Sequence, residues 1–391
     1  MSGCLSPIAM HRAVMAYDRT VSDVQTDMLL LNIARARHRR HLHFTAVSNV
    51  AATFDFRATA GFNGELFEGV FPGPEPGFTK NFYSFNLGAS MAENPTVNII
   101  PIQGEEFTKR ILTPMDEARF EFLYHRGADP AILLRLAARA IVIEQKGREI
   151  PTVYPNAPGQ PEGYQEFRRR VLHLSALHVE HALHVGPLVY QDIWPLPVDH
   201  VLTKEAFGQG YRWSPPADGQ SARLTRDVVG RIVITNYDPM RLSPEERRRL
   251  QEEAQRYPPD QVLVDLRAGH PGGDYPLHGR IQLRSFESVL SFLAHGIVEE
   301  PEFDVEEDFR TGETLFNPAK TLEIVETQAS PSHPIAAVEF EDRWFSIGAR
   351  HGRSEQANQW DLEAFRILYQ FFQLTVTDVS KVPTLPITIA K

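Results

Sequence analysis

The apolar positions of this chain change period twice, and each change marks an element. From Ala9 to Arg37 there is no glycine or proline, and Val14, Tyr17, Val21, Val24, Met28 and Leu31 recur at alternating intervals of three and four. That spacing predicts a long amphipathic helix with a single apolar seam. The seam is short for a coiled coil, so either docking on the chain's own domain or contact with a neighbouring copy would cover it. Asp18 and Asp23 lie early and Arg35 and Arg37 late, which suits the helix dipole.

The period then becomes two. Between Leu42 and Phe62 the even positions include Phe44, Val50, Phe54 and Phe56, whereas the odd ones include His43, Thr45, Asn49, Asp55 and Arg57. A loop rich in glycine and proline follows at 61–77. Alternation resumes at Tyr83, Phe85, Leu87, Ala89 and Met91, against Ser84, Asn86 and Ser90, and a turn at Glu93-Asn94-Pro95 leads into Thr96–Ile102. These segments predict two long strands paired as an antiparallel ribbon, with Phe44, Phe54 and Phe56 on its apolar side.

Beyond residue 103 helices are predicted at 104–112, 116–125, 129–139, 162–184, 243–257 and 285–294, with a last amphipathic helix carrying Trp360, Phe365, Leu368, Phe372 and Leu374. Asp129 before Pro130, and Ser243-Pro244-Glu245-Glu246, have the chemistry of helix starts. Strands are expected at 140–145, 261–266, 280–283, 321–327 and 336–347. Between residues 184 and 237 strands dominate, and the prolines at 187, 195, 197, 215 and 216 confine several of them to edges or loops. The acidic stretch 298–309 reads as an exposed connector, and the proline-rich stretch 151–161 as a linker. The fold class is therefore α+β: a long N-terminal helix, an antiparallel sheet with long strands, several packed helices and a second mixed α/β region. Three parts are expected, at 1–40, 41–150 and 162–391.

With 391 residues, 42% of them hydrophobic and 23% charged, the chain can build a sizeable core. Its net charge of −10 argues against nucleic acid as a partner. The basic cluster Arg35, Arg37, Arg39 and Arg40 with His38, His41 and His43 reads as a solvated helix end.

Candidate chemistry is sparse. His173, His178, His181 and His184 fall within one predicted helix, and the last three are weak metal candidates because spacing of three puts neighbours on one face. No acidic residue completes a metalloprotease pattern, and no serine or cysteine sits in a nucleophile setting. The carboxylates Glu105 and Glu106, and Asp304, Glu306 and Glu307, read as solvated charge runs. Gly269-His270-Pro271-Gly272-Gly273-Asp274 reads as a turn, since no Lys-Ser/Thr follows. No catalytic residue and no cofactor is assigned, and enzymatic activity is not expected.

The only cysteine is Cys4, so no intrachain disulfide can form. Met1-Ser2-Gly3-Cys4 resembles the end of a bacterial lipobox, which implies a signal peptide ahead of Ser2 and acyl chains on Cys4. Leu5, rather than aspartate, then resembles the sorting pattern for the outer membrane. Leu29-Leu30-Leu31-Asn32-Ile33, His43-Phe44-Thr45, Glu93-Asn94-Pro95-Thr96, the run from Pro101 to Phe107, and Thr375-Val376-Thr377-Asp378 together resemble a family of uncharacterised proteobacterial lipoproteins. The resemblance implies an address in the cell envelope and no catalytic residue. It makes the expected protein an outer-membrane lipoprotein, facing the periplasm or the cell surface, with a binding, scaffold or assembly role. Its partners would be the membrane, through the lipid, and other proteins or copies of itself. One alternative is a protomer of an oligomeric β-barrel or export channel that contributes a hairpin from 42–102, whose strands are long enough to span a bilayer. The other is an envelope enzyme of a type the residues do not specify.

Overall fold

The protein is described here by a computed structural model covering residues 5–65, 82–144, 150–195, 208, 210–214, 223–348 and 352–376, the side chains at 5–10, 46–98, 100, 195 and 214 excepted. It has the α+β architecture expected, and it divides into two units: residues 1–21 with 45–102, and residues 22–44 with 103–391. The N-terminal helix α1, Leu5–Arg37, gives its first turns to the smaller unit and the rest to the larger. The smaller unit is completed by β1, Phe44–Glu65, and β2, Phe82–Ile102, which form a two-stranded sheet. β2 runs through Glu93-Asn94-Pro95 without the turn expected there. Both strands of a two-stranded sheet are edges, and an edge tolerates a residue without an N–H.

The larger unit is built on a seven-stranded sheet of β3 Ala138–Ile143, β4 Thr152–Pro155, β5 His184–Pro195, β6 Arg212–Ser214, β7 Arg223–Thr235, β8 Gln261–Leu266 and β9 Leu277–Leu283. The order is β4-β3-β9-β8-β7-β5, with β6 also on β7. β7 and β8 are parallel and the other pairs antiparallel. β8 is buried from Val262 to Leu266, as the apolar Val262, Leu263, Val264 and Leu266 demand of a central strand, with Asp265 buried among them. Pro187 and Pro195 lie in β5, the edge to which their missing donors confine them. Gly279 has no substitute in β9, because an added Cβ would lie 2.0 Å from the Val142 carbonyl oxygen of β3.

Around the sheet lie α2 Glu105–Leu112, α3 Glu117–His125, α4 Pro130–Ala137, α5 Pro161–Val179, α6 Pro244–Ala254, α7 Phe286–Val298 and α8 Glu355–Val376. Asp116, Asp129 and Ser285 cap their helices through side-chain oxygens, and Ser243 with Glu246 forms a full capping box on α6. Every residue of α4 is buried, which fits a helix apolar all round and makes it the hub that meets α3, α5 and α8. Phe44 is fully buried, with its ring stacked on Phe372 at 5.0 Å and edge-on to Phe107 at 5.7 Å.

Several expectations need correction. The segment read as a linker at 151–161 supplies β4 and the start of α5, so no boundary falls there. The acidic stretch 298–309 is not simply exposed, since Glu302 and Val305 are buried. The predicted strand 336–347 is a hairpin, β11 Ala336–Phe340 with β12 Arg343–Ile347, and β10 Ile324–Thr327 pairs with β12 to complete a three-stranded sheet. Its turn residues Glu341 and Asp342 have φ of 49° and 60°, the pair of left-handed conformations a two-residue hairpin loop needs.

Candidate functional site

The ribbon of β1 and β2 stands as a sheet of two strands among the described residues. Among the described residues neither strand pairs with any third strand, so each presents an outer row of backbone N–H and C=O groups. A lone two-stranded sheet is marginal in water, because it has no second layer on which to bury a face. Phe54 and Phe56, expected on the apolar side, belong to β1, and their side chains lie outside the described ones. Phe44, expected with them on the apolar side of the ribbon, belongs instead to the aromatic core of the larger unit.

Cys4 lies outside the described residues. Along α1 the anticipated seam splits. Met28 is buried, Tyr17, Val21 and Leu31 are half-buried, and Val14 and Val24 are 56% and 45% exposed. The buried side of the helix runs through Leu29, Leu30, Asn32, Ile33 and Ala34. Asn32 is held there by hydrogen bonds in both directions: its Nδ2 donates to the carbonyls of Met28 and His43, and its Oδ1 accepts from the His43 N–H.

The histidines do not share a helix face. α5 ends at Val179, and His181 takes a left-handed conformation (φ 56°) that reverses the chain into β5, where His184 is the first residue. His178 Nδ1 lies 3.0 Å from the Tyr124 hydroxyl, and His181 and His184 line a cavity of about 490 Å³ with His270, Tyr237 and Arg241. Among the described residues no three His, Cys, Asp or Glu side chains are arranged to hold a metal, and no helix is long and apolar enough to cross a membrane. Glu105 and Glu106 point into solvent beside Lys109 and Arg110 on the next turn.

Two polar centres were not anticipated. In the first, Asp265 at the end of β8 accepts from Tyr237 and from Arg267 Nε (2.7 Å), and His278 Nδ1 lies 3.0 Å away. His278 Nε2 lies 2.9 Å from Glu253. Hydrogen bonds to Asp265 and Glu253 push the imidazole up to about 10, so it is a cation at neutral pH and cannot accept a proton. Burial works against charge on Asp265, yet His278, Tyr237 and Arg267 hold it below the usual carboxylate range. The cluster therefore locks β8, β9 and α6 together and offers no general base.

In the second, Arg135 of α4 and Arg168 of α5 are almost completely buried around Glu302. Arg135 donates to Glu302 (3.3 Å), Thr321 Oγ1 (2.9 Å) and the carbonyls of Pro318 and Ala319. Arg168 donates to the Tyr164 hydroxyl, Asn317 Oδ1 and the same two carbonyls. Glu302 also accepts from Tyr164 at 2.7 Å and from the Thr321 N–H at 2.6 Å. These bonds pin an irregular segment, 302–321, against two helices. The one hint in the sequence is an arginine inside the apolar run Pro130–Ala137.

Compared with known proteins, the chain matches no family model, no curated protein and no solved structure.

Proposed function

We propose that this chain is a lipoprotein of the bacterial outer membrane, anchored by acyl chains on Cys4, that assembles with copies of itself by pairing β1–β2 ribbons edge to edge. The observation that carries the reading is the ribbon, with two free edges and no third strand among the described residues. Pairing between copies satisfies both edges and, if it closes, leaves none. The exposed Val14 and Val24 on α1 give neighbouring copies a second apolar contact. The lipobox-like start, Leu5 and the family resemblance support the address. The role is one of assembly, with no catalytic residue assigned.

The test compares wild type with Phe54→Asp, using circular dichroism and particle size in detergent, beside the intact mass of protein taken from native membranes. Expected are ring-sized wild-type particles, a folded variant that no longer assembles, and an acylated Cys4. A wild type that stays monomeric, or a variant that still assembles, would refute the ribbon pairing. So would a variant that unfolds throughout, because the apolar face would then cover a domain core. An unmodified Cys4 would remove the anchor.

A further inference from the structure

A cavity of about 510 Å³ opens in the larger unit between β3, β9, the start of α5 and one side of α7. Its lining includes Arg139, Asn156, Gln282, Arg284, Ser288 and Ser291, with His295 and Glu300 also bordering it. Ser288, Ser291, Phe292 and His295 succeed one another at helical spacing, so a single face of α7 forms one wall.

Three observations show what the cavity is built to hold. The first is Arg284, which is 5% exposed and has no carboxylate within ion-pair reach among the described residues. Among the described residues its Nη atoms donate only to the carbonyls of Arg135, Leu136 and Asn156, and its guanidinium lies 4.0 Å from the Phe292 ring centre. Glu302, the nearest buried carboxylate, is already shared by Arg135 and Arg168. Burial outweighs Glu302, which favours the Arg284 charge from beyond ion-pair reach, and with Arg139 nearby it brings the guanidinium down to about 9; a buried cation with no carboxylate in contact is expensive.

The second is Arg139. The β3–β9 register slips between Ala138 and Ala140, leaving Arg139 as the extra residue of a bulge that turns it toward the cavity beside Arg284. The two cations disfavour one another, a repulsion that an anion bound between them would relieve. The third is Asn156, 1% exposed, whose Nδ2 donates to the Arg135 and Ala138 carbonyls. That fixes the orientation of the amide and leaves its Oδ1 buried with no donor. Among the described residues Glu300 is the single carboxylate of the lining, and it is solvent-exposed.

We infer that this cavity binds a small hydroxylated oxyanion, its phosphate or carboxylate group held by Arg284 and Arg139 and a hydroxyl donated to Asn156 Oδ1. Guanidinium forks match both kinds of oxyanion, and the volume suits a ligand the size of a sugar acid or sugar phosphate. The inference is independent of the ribbon reading.

Calorimetric titration of the full chain in detergent with inorganic phosphate, glycerol 3-phosphate and glucuronate tests it, at low and high salt. Arg139→Gln is the informative variant, because Arg139 is at the surface and its loss leaves the core intact, as a melting curve would verify. Saturable binding of at least one probe, weakened by added salt and at least fivefold weaker in Arg139→Gln, is expected, and the probe that binds tells phosphate from carboxylate. Binding of none of the three at 10 mM (roughly the weak limit for a specific small-ligand site), or a loss of less than fivefold in the variant, would overturn the inference.

Discussion

Replacing Glu302 with glutamine removes the one carboxylate that reaches both Arg135 and Arg168 while keeping its shape. The amide oxygen can take the Oε1 position and still accept from the Tyr164 hydroxyl, but an NH2 in place of Oε2 cannot accept from the Thr321 N–H, so the change removes the charge and one hydrogen bond while keeping the volume. Removing one partner of a buried ion pair costs about 3–5 kcal/mol, because the remaining cation stays buried and uncompensated. Here two cations are left, at 1% and 0% exposure, which places the expected loss at the upper end of that range. At about 2 °C per kcal/mol for a unit of this size, the melting temperature should fall by about 10 °C. The damage should be greatest in 302–321, the segment that the carboxylate ties to α4 and α5, and hydrogen exchange there should rise before exchange in β8. Burial alone would raise the Glu302 carboxyl, but Arg135 and Arg168 outweigh it and hold it below its ordinary range. Its contribution is therefore present above about pH 4.5 and is lost as pH falls through the lower folded value, so Glu302→Gln should also flatten the acid limb of the stability curve. A variant that melts within 1 °C of wild type (a change of roughly 0.5 kcal/mol or less) with unchanged exchange at 302–321 would refute the account.

Two further outcomes follow from the capped helices and the His278 cluster. His278 is raised in the folded state to about 10, so its stabilisation is complete below its unfolded value and fades as pH rises toward 10. His278→Gln should therefore lower stability most near pH 6 and least near pH 10, as urea titrations at the two pH values would show; equal losses would exclude an ionic role. Ser243→Ala breaks the capping box of α6 and should cost about 1 kcal/mol in the same assay, with no change in the slope against urea.

Where the sequence was readable, local chemistry and burial agreed. β8 and the start of α6 are legible because the apolar Val262–Val264 and a Ser-Pro-Glu-Glu cap each admit one reading, whereas the period of two finds both ends of β2 but the Glu93-Asn94-Pro95 turn chemistry divides a strand that in fact runs through. The turn at Glu341-Asp342 was missed because it lacks the glycine or asparagine that usually marks left-handed residues. α5 was drawn too long because His181 and His184 keep the helical interval, although the chain has already reversed at His181. The Arg135–Glu302 centre was out of reach of any local pattern. Its members come from α4, α5 and an irregular segment, and only the packing of those three makes an acidic stretch into a buried counter-charge. Arg139 is a similar case, since a bulge is a property of two paired strands and neither one announces it.

The order of the large sheet also sets a timetable for folding. β3 lies between β4 and β9, and residues 138–143 gain their inner partner only when residues 279–283 arrive. α4, which leads directly into β3, waits for the same stretch of chain and for Glu302 beyond it. Until then a wholly apolar helix carrying one arginine has nowhere to bury either. During synthesis the N-terminal half must therefore remain open until most of the chain has emerged, and closing so long a loop makes for slow folding. A protein that crossed a membrane as an unfolded chain would lose nothing by that delay, and a chaperone that shields residues 130–143 would shorten the interval in which they can aggregate.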